Sequence, residues 1–183
     1  EHPLPDDVRR KVALFCNVTP DAVVESIDVP TIYEVPLRMH DQHLDDVTLR
    51  KLGIEDSEEP NLKAWSEFVE KIKNPNHKVE VALVGKYTEL PDAYKSINES
   101  FIHAGAANHC KVKVLYVPAE EVTAENAAEK LGGVSGIFVA PGSGVRGFDG
   151  KVEAARYARE NNIPFFGIGL GMQAAAIEFA RNV

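Results

Sequence analysis

Phe165-Phe166-Gly167-Ile168-Gly169-Leu170-Gly171-Met172-Gln173 joins a short apolar run to a stretch of helix formers through glycines at alternate positions. A strand turning this sharply into a helix predicts a βα unit, with residue 169 held in a strained conformation above the sheet. The helix start behind it offers free N–H groups to a developing oxyanion. Nucleophilic chemistry would need a thiol or hydroxyl at that apex, and the sequence supplies Gly169. An ordinary glycine-rich turn would carry the same spacing.

Working outward, apolar strand-like runs stand at 79–84, 112–117, 136–140 and 163–166, separated by helical patterns at 92–104, 124–131 and 151–161 and followed by one at 171–182. Strict alternation predicts an α/β fold, a doubly wound parallel sheet of flavodoxin-like type. Such sheets bind ligands beyond the carboxyl ends of their strands, so the loops after Val84, Ala140 and Phe166 are the places to seek function. The loop after Ala140 carries Gly142, Gly144, Gly147 and Gly150 with Arg146 and Lys151. It reads as a backbone cradle for an anion, a mobile lid or a flexible surface loop. The loop after Val84 places Lys86 and Lys95 where phosphates could be met or where both are solvated, and Asp92 as a helix cap.

Toward the N-terminus, Val12-Ala13-Leu14-Phe15-Cys16 reads as a buried strand and Thr31-Ile32-Tyr33-Glu34-Val35 as a second. A short helix opens at Pro20 with Thr19 as its cap, and a longer one runs through Leu44, Val47, Leu49 and Leu52 to a stop at Gly53. Glu55, Asp56, Glu58 and Glu59 form a solvated acidic linker. Leu62, Trp65, Phe68, Val69 and Ile72 share one face of an amphipathic helix, which Asn74-Pro75 ends. The expected division is 1–53, a linker with a helix at 54–77, and 78–183.

A net charge of −8 argues against a general nucleic-acid binder. There is no apolar run of the roughly 18 residues that a membrane helix needs. The first residues lack the pattern of a signal peptide, and the missing Met hints at a chain that begins inside a longer reading frame. Cys16 and Cys110 fit a reducing compartment, the cytoplasm by default. His40 and His43 share a helix face without a further convergent ligand, which reads as a polar helix start rather than a metal site.

Together these motifs resemble the CTP synthase family along essentially the whole chain. Gly85 to Ser96 match the family's G-K-Y-x-E-L-P-D-A-Y-K-S, with Thr88 in the variable slot. Pro141 to Lys151 approximate its P-G-G-F-G-x-R-G-x-x-G-K lid. Gly167 to Gln173 approximate its G-I-C-L-G-M-Q elbow, and Ala180-Arg181-Asn182-Val183 its helix end. Residues 11–18 and 28–33 resemble the last strands of its synthetase domain. The resemblance implies the end of a Rossmann-like amidoligase domain, followed by the first half of a class I glutamine amidotransferase domain. The family is a ligase of pyrimidine biosynthesis that makes CTP from UTP, ATP and glutamine. ATP phosphorylates the uracil O4 at a Mg²⁺-dependent site and ammonia displaces the phosphate. A Cys-His-Glu triad releases that ammonia, GTP activates, and the enzyme is a homotetramer.

By position, Gly169 replaces the nucleophilic Cys, and the N–H groups of Gly142 and Leu170 would form the oxyanion hole. Gln173 would touch glutamine, Lys11 and Phe15 would lie near the pyrimidine nucleotide, and Asp28 and Val29 near the adenine of ATP. Ser143 stands where the lid usually has Phe, in a loop one residue shorter, beside Arg146; this puts activation by GTP in question. Mg²⁺ and ATP belong to the full-length enzyme, and none is expected on this segment alone. The triad His and Glu would follow Val183, and the phosphate-binding loop would precede Glu1. The expected activity is therefore CTP synthesis without glutamine hydrolysis; the alternative is a non-catalytic scaffold or regulatory homologue that keeps the fold.

Overall fold

The computed structural model describes residues 2–55 and 58–183. The chain divides into two compact units, Glu1–Lys73 and Asn74–Val183. Asp56, in the expected acidic linker, lies outside the described residues.

The first unit is helical: α1 (Asp6–Phe15), α2 (Val35–Asp41), α3 (Leu44–Leu52) and α4 (Lys63–Lys73). The strand expected at 12–16 is instead the end of α1. Asp6 and Asp7 favour its first turn, and only Ala13 is buried, while Leu14 and Phe15 are exposed. A short apolar run does not by itself distinguish strand from helix. The strand expected at 31–35 is also absent. Thr31 accepts a hydrogen bond from the Tyr33 N–H at 3.4 Å and opens a 3₁₀ turn that runs into α2, where Pro36 fits the first turn. The helix at Pro20 is a single 3₁₀ turn, and Thr19 makes no side-chain cap.

This unit is pinned by Glu34, whose buried carboxylate meets Arg38 at 2.9 Å and Lys73 at 3.1 Å. Lys73 first, then Arg38, holds its pKa below the usual carboxylate value. Tyr33, Trp65 and Phe68 pack ring against ring, and the Trp65 indole donates to the Tyr33 carbonyl at 2.8 Å. The amphipathic helix expected around Trp65 is therefore α4, and Gly53 ends α3 in the left-handed conformation.

The second unit is the expected parallel α/β sheet. Strands β1 (His77–Gly85), β2 (Cys110–Pro118), β3 (Gly136–Val139) and β4 (Phe165–Gly167) lie in the order β2-β1-β3-β4, every pair parallel. Helices α5 (Lys95–Ala107), α6 (Ala127–Leu131), α7 (Phe148–Glu160) and α8 (Leu170–Asn182) complete it. Because strand side chains alternate, Ala82, Val84, Ile137 and Val139 build one core with Leu131, Ala154 and Ala158. Leu83 and Phe138 build the other with Tyr94, Ile97 and Phe101. Asp92 falls in a 3₁₀ turn before α5 rather than at its cap.

The first turn of α8 sits directly on the end of β3. A Cβ at Gly171 would lie 2.1 Å from the Val139 carbonyl oxygen, and one at Gly167 2.6 Å from the Gly171 carbonyl carbon. At Gly169 the nearest atom would be the Pro141 Cβ at 3.7 Å, so this glycine alone of the three has room for a side chain. Arg159 of α7 grips buried Glu178 of α8 at 2.7 Å and fixes the helix behind the turn. Gly171→Ala should therefore cost more than about 3 kcal/mol, because a backbone carbonyl cannot yield cheaply. Gly169→Ala should cost only about 1–2 kcal/mol of backbone strain. Urea unfolding of both variants measures the difference.

Candidate functional site

The carboxyl ends of β1, β3 and β4 bring the three expected loops into one region. At the β4–α8 turn Gly169 adopts φ +54° and ψ −112°, a conformation that strains any residue with a Cβ. The Ile168 N–H donates to the Val139 carbonyl at 3.2 Å, tying the turn to β3. The Gly171 N–H donates to Ile168 at 2.9 Å, and the Gln173 N–H to the Gly169 carbonyl at 3.0 Å. Gly169 is exposed, and Leu170 opens the helix behind it. Gln173 lies one turn along from Gly169, so the two positions share a helix face.

The β3 exit loop is tethered from beneath. Lys151, wholly enclosed, donates from Nζ to the Ala140 carbonyl at 2.6 Å and to the Pro141 carbonyl at 3.3 Å. Lys86, also buried, donates to the Gly144 carbonyl at 3.0 Å and to the Ser143 carbonyl. Both amines are therefore spent on backbone rather than held out to phosphates. Lys95 is likewise engaged, with Glu99 at 2.8 Å. Arg146 pairs with Glu120, donates to the Lys86 carbonyl at 3.4 Å, and lies over the Tyr87 ring at 5.2 Å. Ser143 is exposed.

Two functional details escaped the sequence. The Tyr94 hydroxyl accepts the N–H groups of Lys86 at 2.9 Å and Tyr87 at 3.1 Å, shaping the turn after β1. A Cβ at Gly85 would sit 2.2 Å from that hydroxyl, so the glycine and the tyrosine require each other. The burial of Lys151 did carry a signal: Lys151, Ala154, Ala155 and Ala158 follow the i, i+3, i+4, i+7 spacing of one buried face.

In the first unit Lys11 and Phe15 stand one turn apart on α1, both exposed, while Asp28 and Val29 lie in an irregular segment. Cys16 is exposed, and Cys110 opens β2 at the sheet end opposite the β4–α8 turn. The His40 ring meets Asp45 at 2.6 Å and His43 meets Asp46 at 2.9 Å. Asp45 raises the pKa of His40. Among the described residues no three His, Cys, Asp or Glu side chains are grouped to hold a metal ion, and no helix is long and apolar enough to cross a membrane.

Comparison with known proteins matches residues 89–183 to the family model "Glutamine amidotransferase class-I" and residues 1–54 to "CTP synthase N-terminus". The CTP synthase of Cytophaga hutchinsonii is 58% identical over all 183 residues, which cover 34% of that protein. Those of Flavobacterium johnsoniae and Porphyromonas gingivalis are 54% and 52% identical, again over 100% of this chain and 34% of the relative. The chain thus spans about a third of the length of these relatives. Among solved structures, the Trypanosoma brucei CTPS glutaminase domain with bound acivicin superposes with a TM-score of 0.54 at 48% identity, covering 57% of this chain and 41% of that one.

The enclosed Lys151 has an electrostatic consequence of its own. Desolvation, helped by the like charge of Lys86 and partly offset by Glu120, lowers its pKa from 10.5 to about 8. Above pH 8 the folded protein sheds a proton that the unfolded chain keeps up to about 10.4, so stability from this residue rises with pH across that window. The gain is on the order of 3 kcal/mol at most. Urea melts between pH 7.5 and 10 should show this rise, and Lys151→Met should flatten it.

Proposed function

The chain belongs to the class-I glutamine amidotransferases, and from that premise we propose that it is part of a CTP synthase whose full-length form makes CTP from UTP and ATP with free ammonia but does not hydrolyse glutamine. One observation carries this reading: the β4–α8 turn keeps the strained backbone of a nucleophile elbow, with open space at residue 169, and holds no side chain there. Amide hydrolysis through an acyl-enzyme needs a nucleophile to attack the carboxamide carbon, and glycine offers none. Cys110 does not substitute, since it opens β2 at the far end of the sheet.

In this reading the Gly142 and Leu170 N–H groups are the oxyanion donors and Gln173 touches the glutamine. All three are supported by their nearness in sequence or space to the apex at residue 169. Lys11 and Phe15 would face the pyrimidine nucleotide, which their shared exposed helix face permits. Asp28 and Val29 would flank the adenine. Mg²⁺ and ATP would be bound by the full-length enzyme rather than by this segment alone. Ser143 and Arg146 would belong to the lid over the GTP activator. Arg146 is already engaged by Glu120 and Tyr87, and Ser143 lacks the aromatic surface to stack on a base. The assembly would be a homotetramer working in the cytoplasm.

The test is CTP formation by the full-length protein with ammonium and with glutamine. Ammonium should support synthesis and glutamine should not. Gly169→Cys should raise only the glutamine-driven rate, by about 10³-fold or more, given what loss of a nucleophile costs elsewhere. Equal rates from both nitrogen sources in the unaltered protein would refute the reading. No synthesis from either source would favour the scaffold.

A further inference from the structure

Lys151 is the largest side chain fully enclosed in the described structure. Enclosing an ammonium is costly unless strong partners replace its water. Its hydrogen-bond partners are backbone carbonyls, those of Ala140 and Pro141. Lys86 brings a second ammonium to the carbonyls of Ser143 and Gly144. The charged groups facing Lys151 are Lys86 from the end of β1 and Glu120 from the turn after β2, the latter already paired with Arg146. Two like charges thus converge under one short loop, although an apolar side chain would fill the space more cheaply.

Peptide geometry says what the arrangement achieves. In a planar trans peptide the C=O and the following N–H point in opposite directions. Drawing the Pro141 carbonyl toward Lys151 turns the Gly142 N–H to the other side of the loop. Drawing the Ser143 carbonyl toward Lys86 does the same for the Gly144 N–H. Pro141 is also the residue nearest the open apex, with its Cβ 3.7 Å from where a side chain at 169 would begin. Gly142 lies directly over both lysines: a Cβ there would come within 3.7 Å of the Lys151 Nζ and 3.8 Å of the Lys86 side chain. Its φ of +154° helps the backbone take this path. An ammonium on a carbonyl oxygen also polarises that peptide and makes its N–H a stronger donor.

We propose that Lys151, assisted by Lys86, is a positioning residue that holds the β3 exit loop by its carbonyls and so presents the Gly142 N–H to a carboxamide oxygen at the β4–α8 turn. The proposal rests on the reading of that turn as a glutaminase site. The loop is then a preset donor held from below by charge, rather than a flexible lid that orders on binding.

The test uses the full-length protein, with Gly169 and with Gly169→Cys, each with and without Lys151→Met, which keeps length and volume while removing the charge. In the Gly169→Cys background Lys151→Met should lower kcat for glutamine hydrolysis roughly 10- to 100-fold and leave KM within about twofold. With Lys151 present, kcat should fall as pH rises through about 8, where its ammonium loses the proton, and Lys151→Met should remove that fall. In both backgrounds, NMR order parameters of the residue 142–144 amides should fall from the rigid range near 0.85 to below about 0.6, with those of β1 and β3 unchanged. Unchanged order parameters at 142–144, or an unchanged kcat in an active Gly169→Cys protein, overturns the proposal. Lowered order parameters together with an inactive Gly169→Cys protein uphold the tether while refuting the glutaminase reading.

Discussion

The first turn of α8 rests on the Val139 carbonyl with no space between them, and the carboxyl end of the sheet is arranged around that contact. It requires glycine at 171, and the turn before it requires glycine at 167. It brings the Ile168 N–H within bonding distance of β3 and leaves residue 169 at the apex, facing outward. Arg159 and Glu178 hold α8 from behind. From the other side Lys151 and Lys86 hold the strand-exit loop that passes beside the apex. A helix start, a loop of backbone amides and an open position are thus fixed relative to one another by packing and charge.

This separates scaffold from chemistry. The constraints that create the elbow act on residues 167 and 171, and none of them acts on the side chain at 169. Glycine even relieves the strain that any other residue there would bear. A glycine at this position therefore leaves the surrounding geometry in place, so the likeness to the glutaminase domain does not depend on the side chain at 169. In the proposed reading, attack on a carboxamide is lost with the side chain at 169, while orienting its oxygen stays with the backbone.

The sheet was legible because its central strands are enclosed on both faces. Runs such as Val81-Ala82-Leu83-Val84 and Ile137-Phe138-Val139 have no polar interruption, and the intervening helices keep their period. The same criterion misled at residues 12–16, where Leu14 and Phe15 are apolar yet exposed on a helix. At 31–35 it was β-branched and aromatic content that misled, where Thr31 and Pro36 set a turn and a helix start that outweigh that propensity. In the site, alternate glycines disclosed the elbow and the vacancy at 169. The lysines were harder, because their formal charge suggested a surface or a phosphate contact. Only the alanines spaced around Lys151 pointed inward, and the tether it makes depends on a loop path that composition does not encode.

The central claim is that the elbow stands intact with nothing to attack from. Intact-mass and peptide-mapped spectrometry after treatment with a glutamine-shaped chloroketone addresses it directly. The account predicts no adduct within residues 165–173 of the unaltered protein, and a single adduct at position 169 once Gly169→Cys restores a thiol. An adduct in that segment of the unaltered protein, or none in the variant, would contradict it.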